Sequence, residues 1–137
     1  MGLKDFFKFR KWTPDLERPP PPKHEWPDHI ITLNTKKFDN FINKYPVAII
    51  DFWASWCKPC MIMAPRIRQL SKMYKGKVAF GKVNIDNYND LAKRYHILGI
   101  PNLVFFSYGD RIINITGAKQ LKDVKEEIDR ILTKFEK

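Results

Sequence analysis

The sequence predicts an α/β domain whose sheet is parallel in part and antiparallel at one edge. Three observations predict it. From Ile30 onward, strand-like and helix-like apolar periodicities alternate. The continuous apolar run "PVAIIDFWA", Pro46 to Ala54, is rich in β-branched residues and fits a strand buried on both faces. Near the C-terminus, "NLVFF" and "RIINIT" flank "SYGD", which reads as a hairpin with Gly109 in its turn.

The elements follow in order. "HIITL" is a short strand. Asn34 caps a helix in which Phe38, Phe41, Ile42 and Tyr45 fall at helical spacing. After the buried strand, a helix runs from about Lys58 to Tyr74, with Pro65 as an expected kink. "KVAFGKVNID" is the next strand, and a short helix carries Leu91 and Tyr95. The hairpin comes next. The last helix places Leu121, Val124, Ile128, Ile131, Leu132 and Phe135 on one stripe.

Residues 1–29 differ in kind, so the chain divides into an N-terminal extension, 1–29, and a folded domain, 30–137. The extension holds most of the prolines, and "RPPPP" favours an extended polyproline helix, a semi-rigid spacer of about 3.1 Å per residue. Ahead of it, Leu3, Phe6, Phe7, Phe9 and Trp12 are interleaved with Lys4, Lys8, Arg10 and Lys11. Such a segment docks on its own domain or lies on a membrane surface. Docking is the favoured expectation, because five large apolar residues on a free tail invite aggregation. Charges interrupt every apolar pair near Met1, so no signal peptide is expected, and no stretch reaches the ~20 apolar residues that span a bilayer. The expected compartment is the cytoplasm, where cysteines stay reduced unless they do redox work.

The chain has two cysteines, and both lie in "DFWASWCKPC", Asp51 to Cys60. A structural clip is a poor reading, because 137 residues can bury a sizeable core and so short a loop stabilises little. Zinc needs four ligands, and His24 and His29 sit in the proline-rich segment, so no metal is expected. A reactive pair fits best. Cys57 follows a buried strand and stands where a helix begins, and unpaired N–H groups with a partial positive charge favour a thiolate there. Cys57 is therefore expected to be exposed and acidic. Cys60 lies within the first turn on the same face. One sulfur attacks a foreign disulfide and the other then attacks the mixed disulfide. Pro59 suits and stiffens a first helical turn.

Three separated motifs, "DFWASWCKPC", "KVNID" and "GIPNLVFF", resemble the thioredoxin family over about Ile30 to Phe135. The resemblance implies a central five-stranded mixed sheet flanked by four helices and a protein-disulfide reductase that works through a reversible Cys57–Cys60 dithiol/disulfide. It implies no organic cofactor, substrates that are disulfide-containing proteins, a thioredoxin reductase-type electron donor, and roles in electron transport and cell redox homeostasis. It assigns proton transfer to Asp51, a carboxyl whose burial near thiols is expected to raise its pKa, with Lys82 close by. It makes the Ile100–Pro101 bond cis and facing the cysteines, with backbone beside it open to an extended substrate. Gly117 matches a substrate-contacting loop. Trp56 is expected to flank the site on the surface, and Trp53 to pack beneath it. The family commonly has glycine at the position of Lys58. A cation there favours the thiolate and makes a somewhat stronger oxidant, an effect that screening keeps small.

Charge is the second unusual feature. The net charge is +10, and residues 30–137 alone carry 19 Lys/Arg against 10 Asp/Glu, a net +9. Acidic proteins or an anionic surface are the partners this suggests. No aromatic-basic motif points to specific nucleic acid. The expected state is a monomer. Two other readings stand beside the reductase: a disulfide oxidase or isomerase outside the cytoplasm, and a non-catalytic binding module with the same fold.

Overall fold

The computed structural model describes residues 12–136. What was expected of Leu3, Phe6, Phe7 and Phe9 lies outside the described residues. The elements are β1 (Ile31–Thr32), α1 (Thr35–Lys44), β2 (Ala48–Trp53), α2 (Lys58–Met73), β3 (Ala79–Asn84), α3 (Asn89–Arg94), β4 (Asn102–Ser107), β5 (Asp110–Thr116) and α4 (Leu121–Thr133). They form one five-stranded sheet in the order β1-β3-β2-β4-β5. β1 and β2 run parallel to β3, whereas β4 runs antiparallel to both β2 and β5. This is the thioredoxin fold, with the parallel part and the antiparallel edge where the sequence put them.

Local chemistry explains the elements. Asn34 Oδ1 accepts the Lys37 N–H at 2.8 Å and caps α1. Pro65 lies inside α2, which nonetheless runs unbroken to Met73. The turn between β4 and β5 places Tyr108 at φ 46° and Gly109 at φ 89°, the positive values a tight hairpin needs. β1 is shorter than the five-residue run suggested. It pairs with β3 on one side only, so it lacks a second ladder to extend it.

β2 is central, and its alternation divides the core. Val47 and Ile49 face α2 and α4 beside Ile67, Leu70, Val124 and Ile128. Ala48, Ile50 and Phe52 face α1 and α3 beside Phe38, Ile42 and Leu91. Both faces are therefore apolar, as for any strand covered by helices on two sides. Asp51 stands in the same register as Val47 and Ile49, which aims a carboxyl at α2.

The described part of the extension, residues 12–29, packs on this domain. Trp12 meets Phe135 with ring centroids 5.8 Å apart. The Arg18 guanidinium lies 4.1 Å from the centre of the Tyr108 ring, and Tyr108 Oη donates to the Arg18 carbonyl at 3.1 Å. Trp26 is 8% exposed, stacks on Tyr45 at 4.9 Å, and donates its indole N–H to the Pro21 carbonyl. Pro20 and Trp26 thus line a cleft with Pro46 and Val47, at the end of β2 away from the cysteines. Trp26→Ala is expected to cost about 3 kcal/mol, the low end for a buried tryptophan. Thermal melting should show a Tm lower by on the order of 10 °C. An unchanged Tm would mean that the extension adds nothing to the fold.

Candidate active site

The site grows from the end of β2. After Trp53 the chain leaves the sheet through buried Ala54 and exposed Ser55 and Trp56. Cys57 is then the N-cap of α2, and its Sγ accepts the Cys60 N–H at 3.2 Å. A sulfur thus occupies the position where a helix offers its free N–H groups and the positive end of its dipole. Cys57 and Cys60 are joined as a disulfide, with Cα atoms 5.3 Å apart. Pro59 sits in the first turn, where its missing N–H costs nothing. Lys58 and Pro59 are both exposed.

The expected exposure of Cys57 needs correction. In the oxidised pair it is 5% exposed, against 1% for Cys60. The order is as expected, but both sulfurs sit in a small apolar cluster with Ala54, packed against Trp53, Ile85 and Ile100. Only a narrow part of Cys57 meets solvent, so an incoming disulfide must fit the surface closely to reach it.

Asp51 lies on β2, on the face covered by α2. It is 8% exposed, and its Oδ1 has no hydrogen-bond partner among the described residues. Burial pushes its carboxyl up to about 7, while the charge of Lys82 pulls the other way. Lys82 is the register partner of Asp51 on β3, but the two form no ion pair. Its ammonium instead lies 5.7 Å from the centre of the Trp53 ring. A cleft of about 270 Å³ opens beside Asp51 and Lys82, walled by Ile67, Arg68 and Ser71 of α2 and by His29. The acid is buried among protein atoms yet within reach of water.

The Ile100–Pro101 bond is cis. Ile100 packs on the cysteine cluster, and the Gly117 N–H donates to the Pro101 carbonyl at 2.8 Å. Gly117 has φ 88° and open space around its Cα, so a loop that only glycine adopts easily lies beside Pro101. The structure therefore packs Ile100 against Cys57 and Cys60, with Pro101 next in the chain and Gly117 hydrogen-bonded to it, while Asp51 and Lys82 line the cleft on the α2 side of the sheet. Trp56 is 67% exposed, and its indole N–H donates to the Asp86 carboxylate at 3.1 Å. Asp86, the last residue of "KVNID", thus fixes Trp56 from 30 residues away in the chain, a contact that no local pattern signals.

Known proteins agree with this geometry. The thioredoxin family model matches residues 29–130. The chain is 37% identical over 101 residues to a thioredoxin of Buchnera aphidicola, covering 73% of this chain and 94% of that one. It is 36% identical over 102 residues to a chloroplastic M-type thioredoxin of spinach, covering 74% of this chain but only 56% of that relative. Among solved structures, a mutant thioredoxin from Halobacterium salinarum superposes with a TM-score of 0.73 at 26% identity, covering 78% of this chain and 94% of that one. With the motifs, the strand order and the paired cysteines all in agreement, the chain belongs to the thioredoxin family, whose members are thiol–disulfide oxidoreductases.

Proposed function

We propose that this protein reduces protein disulfides through Cys57 and Cys60. The observation that carries the reading is a disulfide-forming pair whose first sulfur caps α2 and packs against Ile100. In the reduced protein, the Cys57 thiolate attacks one sulfur of a substrate disulfide. The substrate S–S bond breaks, a substrate thiolate leaves, and a mixed disulfide forms. Cys60 then gives its proton to the Asp51 carboxylate and attacks Cys57 Sγ. The second substrate thiolate leaves, two electrons have passed to the substrate, and the Cys57–Cys60 disulfide remains. Lys82 tunes Asp51 by its charge. Trp56, Ile100, Pro101 and Gly117 form the surface on which an extended substrate lies. A thioredoxin reductase-type partner returns the electrons, and the protein acts as a cytoplasmic monomer.

Lys58 favours a second reading, disulfide oxidation, because a cation beside Cys57 stabilises the reduced form. Its exposure leaves that effect screened, so reduction is the better reading. Titration of the pair against glutathione separates the two. A reductase is expected to stay oxidised until the buffer is strongly reducing, near the roughly −270 mV of thioredoxin in general. A potential above about −180 mV would make the protein an oxidant or isomerase instead.

A further inference from the structure

Among the described residues, six large hydrophobic side chains are exposed, and four of them lie close in sequence to Cys57, Cys60 or Pro101: Trp56, Met61, Ile62 and Leu98. Leu98 is the extreme case at 97%. A single exposed leucine needs no explanation, but one held out by a built loop does.

The loop from Tyr95 to Pro101 is such a loop. Helix α3 ends with the His96 N–H bonded to the Lys93 carbonyl and the Ile97 N–H bonded to the Ala92 carbonyl at 2.8 Å. His96 takes φ 53°, a conformation that glycine usually fills and that costs other residues energy. Ile97 and Ile100 turn inward onto the core. Both ends of the loop are tied by a chain of polar side chains. Arg111 Nη1 donates to the Tyr95 carbonyl at 2.8 Å, and Arg111 Nε to Asn114 Oδ1 at 2.7 Å. Asn114 Nδ2 then donates to Asn102 Oδ1 at 3.0 Å. Asn102, 4% exposed, donates to Thr116 Oγ1 at 3.2 Å and toward the Gly99 carbonyl at 3.4 Å. A part-buried, hydrogen-bonded polar chain of this kind, anchored on buried Asn102, favours one arrangement. The loop is fixed at both ends while Leu98 has nothing to pack on.

We propose that Leu98 is a specificity-determining contact that reads a large apolar side chain beside the disulfide of a substrate polypeptide. The proposal rests on the redox reading above and deepens it. The surface is continuous with the Pro101 backbone edge, three residues along the chain. An extended substrate rises about 3.3 Å per residue, so the side chain that meets Leu98 belongs to a residue within about three positions of the attacked cysteine. The surroundings are basic, with Lys93 and Arg94 on the helix before the loop. The occupant is therefore an apolar stretch of polypeptide rather than a cationic one.

The test uses the full reduced chain in single turnovers. Three oxidised probes are compared: a disulfide-closed peptide with leucine two residues before the attacked cysteine, the same peptide with serine there, and hydroxyethyl disulfide, which is too small to reach Leu98. Rates on the peptides are divided by the rate on hydroxyethyl disulfide. The wild type should prefer the leucine peptide by about tenfold, the discrimination that burying a leucine side chain supplies. Leu98→Ser should bring that ratio near one, and Leu98→Met should keep most of it. No preference in the wild type, or a preference that survives Leu98→Ser, overturns the proposal and leaves the redox reading intact. Failure to reduce any of the three probes overturns the redox reading and the proposal with it. Sedimentation of the wild type should show a monomer; a dimer that Leu98→Ser dissolves would show that a second copy covers this face, which also overturns the proposal.

Discussion

Cys57→Ser is expected to abolish disulfide reduction, while Cys60→Ser accumulates mixed disulfides between Cys57 and its substrates. The difference follows from two places in one helix turn. Cys57 Sγ is the cap of α2, receives the Cys60 N–H, and meets solvent at 5% exposure. Cys60 is at 1% and is bonded to Cys57. Negative charge is favoured on the capping sulfur, which makes Cys57 the attacking group of the reduced pair. A serine hydroxyl ionises far above neutral pH and does not exchange with disulfides, so its substitution leaves no nucleophile. Removing Cys60 leaves the attack untouched and removes the only group placed to release the substrate. Activity on a protein disulfide should fall below detection in both variants. Mass spectrometry should find a covalent adduct only with Cys60→Ser. Faster alkylation of Cys60 than of Cys57 at neutral pH would reverse the assignment.

Much of this was legible because burial leaves a periodic trace. The run around Asp51 had to be a covered strand, since nothing else places Ile49, Ile50 and Phe52 in apolar surroundings at once. Asn34 declared a helix start through a bond to a residue only three positions on. Gly109 announced a turn because glycine accepts positive φ more easily than other residues. What stayed hidden depends on residues far apart in the chain. Trp26 looked like part of a linker, yet the aromatic surface of Tyr45 and the carbonyl of Pro21 give its ring and indole N–H a place to go. The Asn102–Asn114–Arg111 chain joins polar residues that, read singly, suggested nothing. The cis bond at Pro101 came from family resemblance alone, because proline before a strand is compatible with either isomer. The same limit applied to Cys57. A helix start predicts an acidic sulfur, but how much of it solvent reaches is decided by Ile85 and Ile100, which arrive from other elements.

Asp51→Asn should raise stability at alkaline pH and slow release of the substrate, and the pH dependence ties the two effects together. The folded protein holds the Asp51 proton up to about pH 7, whereas an unfolded aspartate releases it near 3.8. Between those values the folded state binds more protons than the unfolded one, so stability falls as pH rises through the window. The full penalty, on the order of 4 kcal/mol for a shift of this size, stands above pH 7 and is absent below pH 4. An asparagine cannot ionise and escapes it. Melting of the oxidised proteins should therefore show the variant well above the wild type at pH 8 and close to it at pH 4. The kinetic effect has the opposite sign. With no carboxylate to take the proton of Cys60, decay of a preformed mixed disulfide should slow by at least about tenfold near pH 7. The deficit should narrow at alkaline pH, where hydroxide takes the thiol proton without the carboxylate's help. First attack by Cys57 should change little. A stability gain that is equal at pH 4 and pH 8 would mean that Asp51 does not titrate in this window, and an unaltered pH profile for mixed-disulfide decay would take it out of proton transfer. If both effects appear together, the same buried carboxyl destabilises the folded protein at the pH where it acts as the base.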